Sequence, residues 1–159
     1  MKSAYVGGIA TLALLLSVGC ASKVLFFPGP LTPAAEASAR FTRDANENTK
    51  LQLRVKHLAL PQRLSQPKAF YIVWAQSPQG QSMKLGRLVV KSNKTGAFKS
   101  VIPLDVFRLL ITAEDVVDAL TPSEHVVLST QVFRAKNLHQ GFWESLKPRE
   151  TTGKQRTNQ

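Results

Sequence analysis

Ala69-Phe70-Tyr71-Ile72-Val73-Trp74-Ala75-Gln76 is apolar on both of its alternating phases and rich in β-branched and aromatic residues. Such a run reads as a central strand, covered by core on both faces, or by core on one face and a lapping loop on the other. Phe70, Ile72 and Trp74 share one face, and Tyr71 and Val73 share the opposite one. Aromatic side chains on a sheet also serve as stacking platforms for sugars or bases. Here they have aliphatic neighbours and no interleaved basic residues, which favours a core strand.

Working upstream, Leu51-Gln52-Leu53-Arg54-Val55-Lys56-His57 alternates strictly between apolar and polar residues, the period of a half-buried strand. Leu51, Leu53 and Val55 point to the core, Gln52, Arg54 and Lys56 to solvent, and His57 continues the inward phase as a core-edge residue. Pro61 and Pro67 bracket a polar loop. Working downstream, Ser77-Pro78-Gln79-Gly80-Gln81 has turn composition. Met83 and Leu85 set one phase and Leu88 and Val90 the other, so Gly86-Arg87 is expected at a β-bulge. Ser92-Asn93-Lys94-Thr95-Gly96 reads as a hairpin closure with Gly96 at positive φ. Asn93-Lys94-Thr95 also matches a glycosylation sequon, a weak signal on its own. Phe98, Ser100 and Ile102 form the next inward set, up to Pro103.

Val106 to Ala113 is another largely apolar strand, and His125 to Phe133 supplies the last. Between them Glu114, Asp115, Asp118 and Glu124 read as a solvated loop, because their spacing does not follow a calcium-binding loop. Short strands at close spacing, divided by turns and without a strong helix, predict an all-β fold. The expected form is an immunoglobulin-like antiparallel β-sandwich of about six to seven strands. Tyr71-Ile-Val-Trp74-Ala75, Leu85-Gly86-Arg87-Leu88, Phe107 to Glu114, and Pro122-Ser123 with Val126 to Ser129 together span about half of the chain. In these residues the sequence resembles the extracytoplasmic carboxy-terminal domain of anti-sigma-K factors and related lipoprotein sandwiches. The shared positions look like core and turn, so the resemblance implies fold. Anti-sigma activity is not carried over, since neither a sigma-binding region nor a transmembrane helix is expected ahead of the domain.

At the amino terminus Met1-Lys2 supplies positive charge, Ala4 to Leu16 is almost continuously apolar, and Ser17-Val18-Gly19 offers small residues before Cys20. This is the plan of a secretory signal, and its apolar part falls short of the roughly 20 residues that span a bilayer. Ending at the sole cysteine, it resembles the lipobox of bacterial lipoproteins, with Ser17 where that family usually has Leu. The resemblance implies cleavage after residue 19 and acylation of Cys20, whose two or three chains suffice for stable anchoring. Ala21, in place of Asp, implies the outer membrane, facing the periplasm. The alternative is an ordinary secreted protein with an incidental cysteine.

The chain divides on this reading into a signal peptide (1–19), a lipid-anchored spacer (20–49), the sandwich (50–134) and a basic, partly disordered tail (135–159). In the spacer, Pro28, Pro30 and Pro33 exclude a regular helix or central strand, and the alanines from Ala34 to Asn46 favour a short helix. Phe26 and Phe27 either rest on the membrane or fold back on the domain. In the tail, Leu138, Phe142, Trp143 and Leu146 either cap the sandwich or dip into a membrane interface. The formal net charge is +11, and residues 50–134 carry twelve basic against five acidic residues. Such an excess fits anionic lipid or glycan, or a solvated face; no nucleic acid is expected for an exported domain.

No nucleophile elbow, paired-histidine motif or phosphate loop is present in the sequence, and Cys20 is committed to lipid. We therefore expect no enzyme, no cofactor and no metal ligand set. The one route left open is convergence of His57 and His125 with Asp105 or Glu114 on zinc; His139 lies far along the chain. The preferred reading is a noncatalytic envelope lipoprotein whose sandwich binds or braces another envelope component. The alternative is an accessory or sensor domain for an envelope-stress signalling partner, and a third reading is peripheral binding to an anionic polymer.

Overall fold

Side chains of β5 (Phe70–Gln76) enter two different apolar environments, as their double phase requires. Tyr71, Val73 and Ala75 join the main core, while Ile72 and Trp74 pack with Leu110 in a second cluster on the other side. The computed structural model, which describes residues 23–43 and 48–135, builds the main core between two antiparallel sheets. The chain runs through β1 (Lys23–Leu25), β2 (Phe27–Pro28), β3 (Glu36–Arg43), β4 (Thr49–Lys56), β5, β6 (Ser82–Leu88), β7 (Gly96–Ile102), β8 (Val106–Glu114), β9 (Val126–Ser129) and β10 (Phe133–Arg134). One sheet has the order β1-β3-β4-β7, and the other β2-β9-β8-β5-β6, with β10 pairing β8. The protein is thus a β-sandwich, with more and shorter strands than the sequence pattern separates.

β4 alternates buried and exposed residues without a break, Thr49, Leu51, Leu53 and Val55 facing inward. At the far end of the core Phe41, Phe107 and Phe133 stack edge to face, with centroids 4.8–6.1 Å apart. Tyr71 donates its hydroxyl to the Ala59 carbonyl at 2.9 Å, and burial pushes ionisation of that phenol upward.

The segment expected as a spacer instead completes both sheets. β3 pairs with β4 along eight residues, Glu36↔Lys56 to Arg43↔Thr49. Ala37, Ala39 and Phe41 are buried while Glu36, Arg40 and Thr42 are exposed. The expected helix over 34–46 gives way because this period-two pattern buries Phe41 against the core, which outweighs the weak helix preference of alanine. Phe26 folds back into the core, and the chain changes sheets there: β1 pairs β3 on one side and β2 pairs β9 on the other. Pro28 fits β2 because that strand is an edge.

Three local expectations change. His57 turns outward at φ 55°, so Leu58 takes the buried place. The loop before Gly96 closes locally as the expected hairpin, with Val90 bridged to Gly96 and a Lys91 N–H to Thr95 carbonyl bond of 2.8 Å, but the strands it joins, β6 and β7, belong to different sheets. Positive φ there belongs to Lys94, and Gly96 is required by close approach, since a Cβ would lie 2.7 Å from the Val89 carbonyl oxygen. The last strand breaks at Thr130, whose hydroxyl accepts the Leu109 N–H in place of the ladder, and resumes as β10. The expected bulge is present: Val73 faces Gly86 and Trp74 faces Lys84, leaving Leu85 as the extra residue.

Candidate functional site

Strand periodicity and the β3–β4 register together assemble a basic surface. Side chains of even number from Glu36 to Thr42 and from Lys50 to Lys56 share the outer face of the four-stranded sheet. Ser38 lies opposite Arg54 and Arg40 opposite Gln52, and β7 adds Lys99 opposite Gln52. Arg40 and Arg54 are therefore diagonal neighbours, a spacing that long side chains bridge. Among the described residues, the side chains of Arg40, Arg54, Lys56 and Lys99 make no hydrogen bond or ion pair. The one acid on this face among the described residues, Glu36, stands at its end, opposite Lys56.

Of these, Glu36, Arg40, Arg54 and Lys56 floor an open groove of about 670 Å³, with Lys99 outside its lining. Leu25 and Pro28 of the edge strands and Pro33-Ala34 of the following turn form its wall. Leu25 is 62 % exposed, so an apolar side chain borders the cations. A strand backbone holds each guanidinium in place, and guanidinium is suited to two-point binding of phosphate or carboxylate oxygens. The groove is thus chemically an anion site with a partly apolar rim.

The outer face of the larger sheet is built differently. There the loop 115–125 covers Ile72, Trp74 and Leu110, and several polar atoms around it are paired, though His125 Nδ1 is buried without a partner. Trp74 Nε1 donates to Thr112 Oγ1 at 2.8 Å, Thr112 donates to Glu114 Oε1, and the Ser123 N–H reaches the same oxygen at 2.9 Å. Lys84 holds the Val117 carbonyl, Lys68 pairs with Asp115 at 2.8 Å, and Arg87 sits 4.6 Å from the centre of the Phe70 ring.

Of the residues singled out from sequence, Cys20 and His139 lie outside the described residues, as do the signal peptide and the tail segment with Phe142 and Trp143. Glu114 belongs to the buried network and not to a solvated loop, because Thr112 and the Ser123 N–H supply it with donors. His125 bonds Gln66 at 2.7 Å through Nε2, and His57 is exposed. Among the described residues no three His, Cys, Asp or Glu side chains come together. The sequon residue Asn93 accepts the Thr95 hydroxyl at 2.7 Å, a turn-stabilising contact. Arg40 and the groove wall escaped the sequence reading; the alternation Ala37, Ala39, Phe41 against Ser38, Arg40, Thr42 is the signal that finds them. No protein-family model matches the chain, and no curated protein matches its sequence.

Proposed function

We propose that this is a noncatalytic, lipid-anchored protein of the bacterial cell envelope whose β-sandwich binds or braces another envelope component. In a cell with two membranes it sits on the outer membrane, facing the periplasm. The lipobox-like signal ending at Cys20 supplies the anchor, and the basic groove supplies the binding surface. The observation that carries the reading is the contiguity of the two. β1, which borders the groove, starts at Lys23, three residues after Cys20. An extended chain spans at most 3.3–3.6 Å per residue, so lipid and groove edge are separated by a tether of about 10 Å.

The anchor is tested in cells by labelled palmitate and membrane fractionation. Native protein is expected to take up label and to stay with membranes through a high-salt wash, and Cys20→Ser to lose both. Absence of label on native protein, or retention of Cys20→Ser on salt-washed membranes, would refute the lipid anchor. A photocrosslinker at Gln52, on the groove floor, is expected to capture a discrete envelope component. Equal capture from Gln79, in the exposed turn between β5 and β6, would show that the groove is not the contact surface.

A further inference from the structure

We infer that the component held by the groove is the bilayer itself: Arg40, Arg54 and Lys56 bind the phosphate headgroups of anionic phospholipids, and the four-stranded sheet lies face-on to the membrane. This deepens the lipid-anchored reading and rests on it. Three observations converge. Three cations outnumber the single groove acid, Glu36 at the end opposite Lys56, and have no side-chain partners among the described residues, so they are available to an external anion. The tether of about 10 Å keeps the groove edge at headgroup distance from an acylated Cys20, too short for the domain to stand clear. Finally, Leu25 is 62 % exposed on that edge. An apolar side chain beside cations suits the boundary between headgroups and acyl chains; a hydrated polysaccharide would leave it in water. The chain's own tail is a poor occupant, since residues 136–159 carry five basic against two acidic residues.

The test uses residues 20–159, which contain every strand of both sheets, with Cys20→Ser, so that binding is read without lipid. Cosedimentation is measured with phosphatidylglycerol–phosphatidylcholine vesicles and with pure phosphatidylcholine vesicles. We expect binding to the anionic vesicles alone, weakening steeply with salt. Arg40→Glu/Arg54→Glu should lower affinity at least about tenfold. Lys84→Glu/Arg87→Glu, the same charge change on the opposite outer face, should stay within about threefold. Leu25→Ser should weaken binding with the net charge unchanged. Circular dichroism confirms folding, and Arg40→Gln/Arg54→Gln repeats the test with milder substitutions. Equal losses from the two charge-reversal pairs, or equal binding to neutral vesicles, would overturn the inference. So would alginate binding as tight as vesicle binding and equally dependent on Arg40 and Arg54, which would make the occupant a glycan. Because the vesicle assay needs no acylation and palmitate labelling needs no groove, failure of the anchor and failure of the lipid contact are read separately.

Discussion

On the larger sheet Lys68, Lys84, Arg87 and Arg108 each end on a partner within the fold, whereas on the four-stranded sheet Arg40, Arg54, Lys56 and Lys99 end in solvent. The difference follows from what each face covers. The larger sheet carries Ile72, Trp74 and Leu110 outward, and the loop that covers them brings backbone amides and a carboxylate into an apolar setting where each must be paired. The four-stranded sheet keeps most of its apolar residues inside, so Arg40, Arg54, Lys56 and Lys99 need pair with no covering loop and stay hydrated. Lack of pairing by itself costs little, since exposed ion pairs contribute on the order of 0–1 kcal/mol. What marks this face is the gathering of one sign of charge in a groove, where the local potential adds. One face therefore serves stability and the other recognition, and substitutions on the two should differ in kind.

The largest effect is expected at Trp74, which is fully buried under the loop. Trp74→Ala should destabilise the sandwich by about 3–5 kcal/mol in urea denaturation. A cost below about 1 kcal/mol would show that the loop does not seal this face. Thr112→Val comes next, at about 2–3 kcal/mol, since it leaves the Trp74 N–H without a partner in a buried setting and takes from Glu114 one of its two donors. Glu114→Gln should cost less than Thr112→Val, because the amide oxygen still accepts from Ser123. A reversed order would place the weight of the network on charge.

The two faces were unequally legible in the sequence. The double apolar phase of Phe70 to Gln76 announces a strand buried on both sides, and the loop covering Trp74 is one of the two arrangements that phase allows. The strict alternation of β4 likewise places Arg54 and Lys56 outside. β3 was hidden because two of its three inward residues are alanines, which weaken the hydrophobic signal and carry helix propensity. Without β3 there is no groove, since Arg40 and the wall from Leu25 to Ala34 come from that first stretch. The structural role of Glu114 was hidden for another reason: its partners Thr112 and Ser123 are brought to it by a loop whose path no periodicity encodes.

Gly86 tests how the paired face obtains its cations. Lys84 and Arg87 are three apart in sequence, yet lie opposite Trp74 and Ile72, both outward-facing, because Leu85 is the extra residue of the bulge. Gly86 has φ 143°, and a Cβ there would approach Phe98 at 3.2 Å. Gly86→Ala should cost about 1–2 kcal/mol and weaken the Arg87–Phe70 stacking. Amide exchange along β6 is expected to rise around residues 84–87; unchanged protection would mean that the bulge tolerates a side chain.

The smallest effect, and the sharpest contrast, is expected at Arg54. Its guanidinium has no partner among the described residues and sits among cations of the same sign, Arg40 diagonally and Lys56 two residues on. Arg54→Gln removes repulsion and no contact, so stability should change by less than about 0.5 kcal/mol, in the stabilising direction at low salt. At 0.01 M salt the screening length is about 30 Å, and near 1 M it falls to about 3 Å, so the gain should vanish between those limits in paired thermal melts. Lys84→Gln should behave oppositely, destabilising at both salt concentrations, because it removes a short hydrogen bond to the Val117 carbonyl that salt screens poorly. If Arg54→Gln instead destabilised the protein by more than about 1 kcal/mol at both limits, the guanidinium would hold a structural partner, and the division between a stability face and a recognition face would fall.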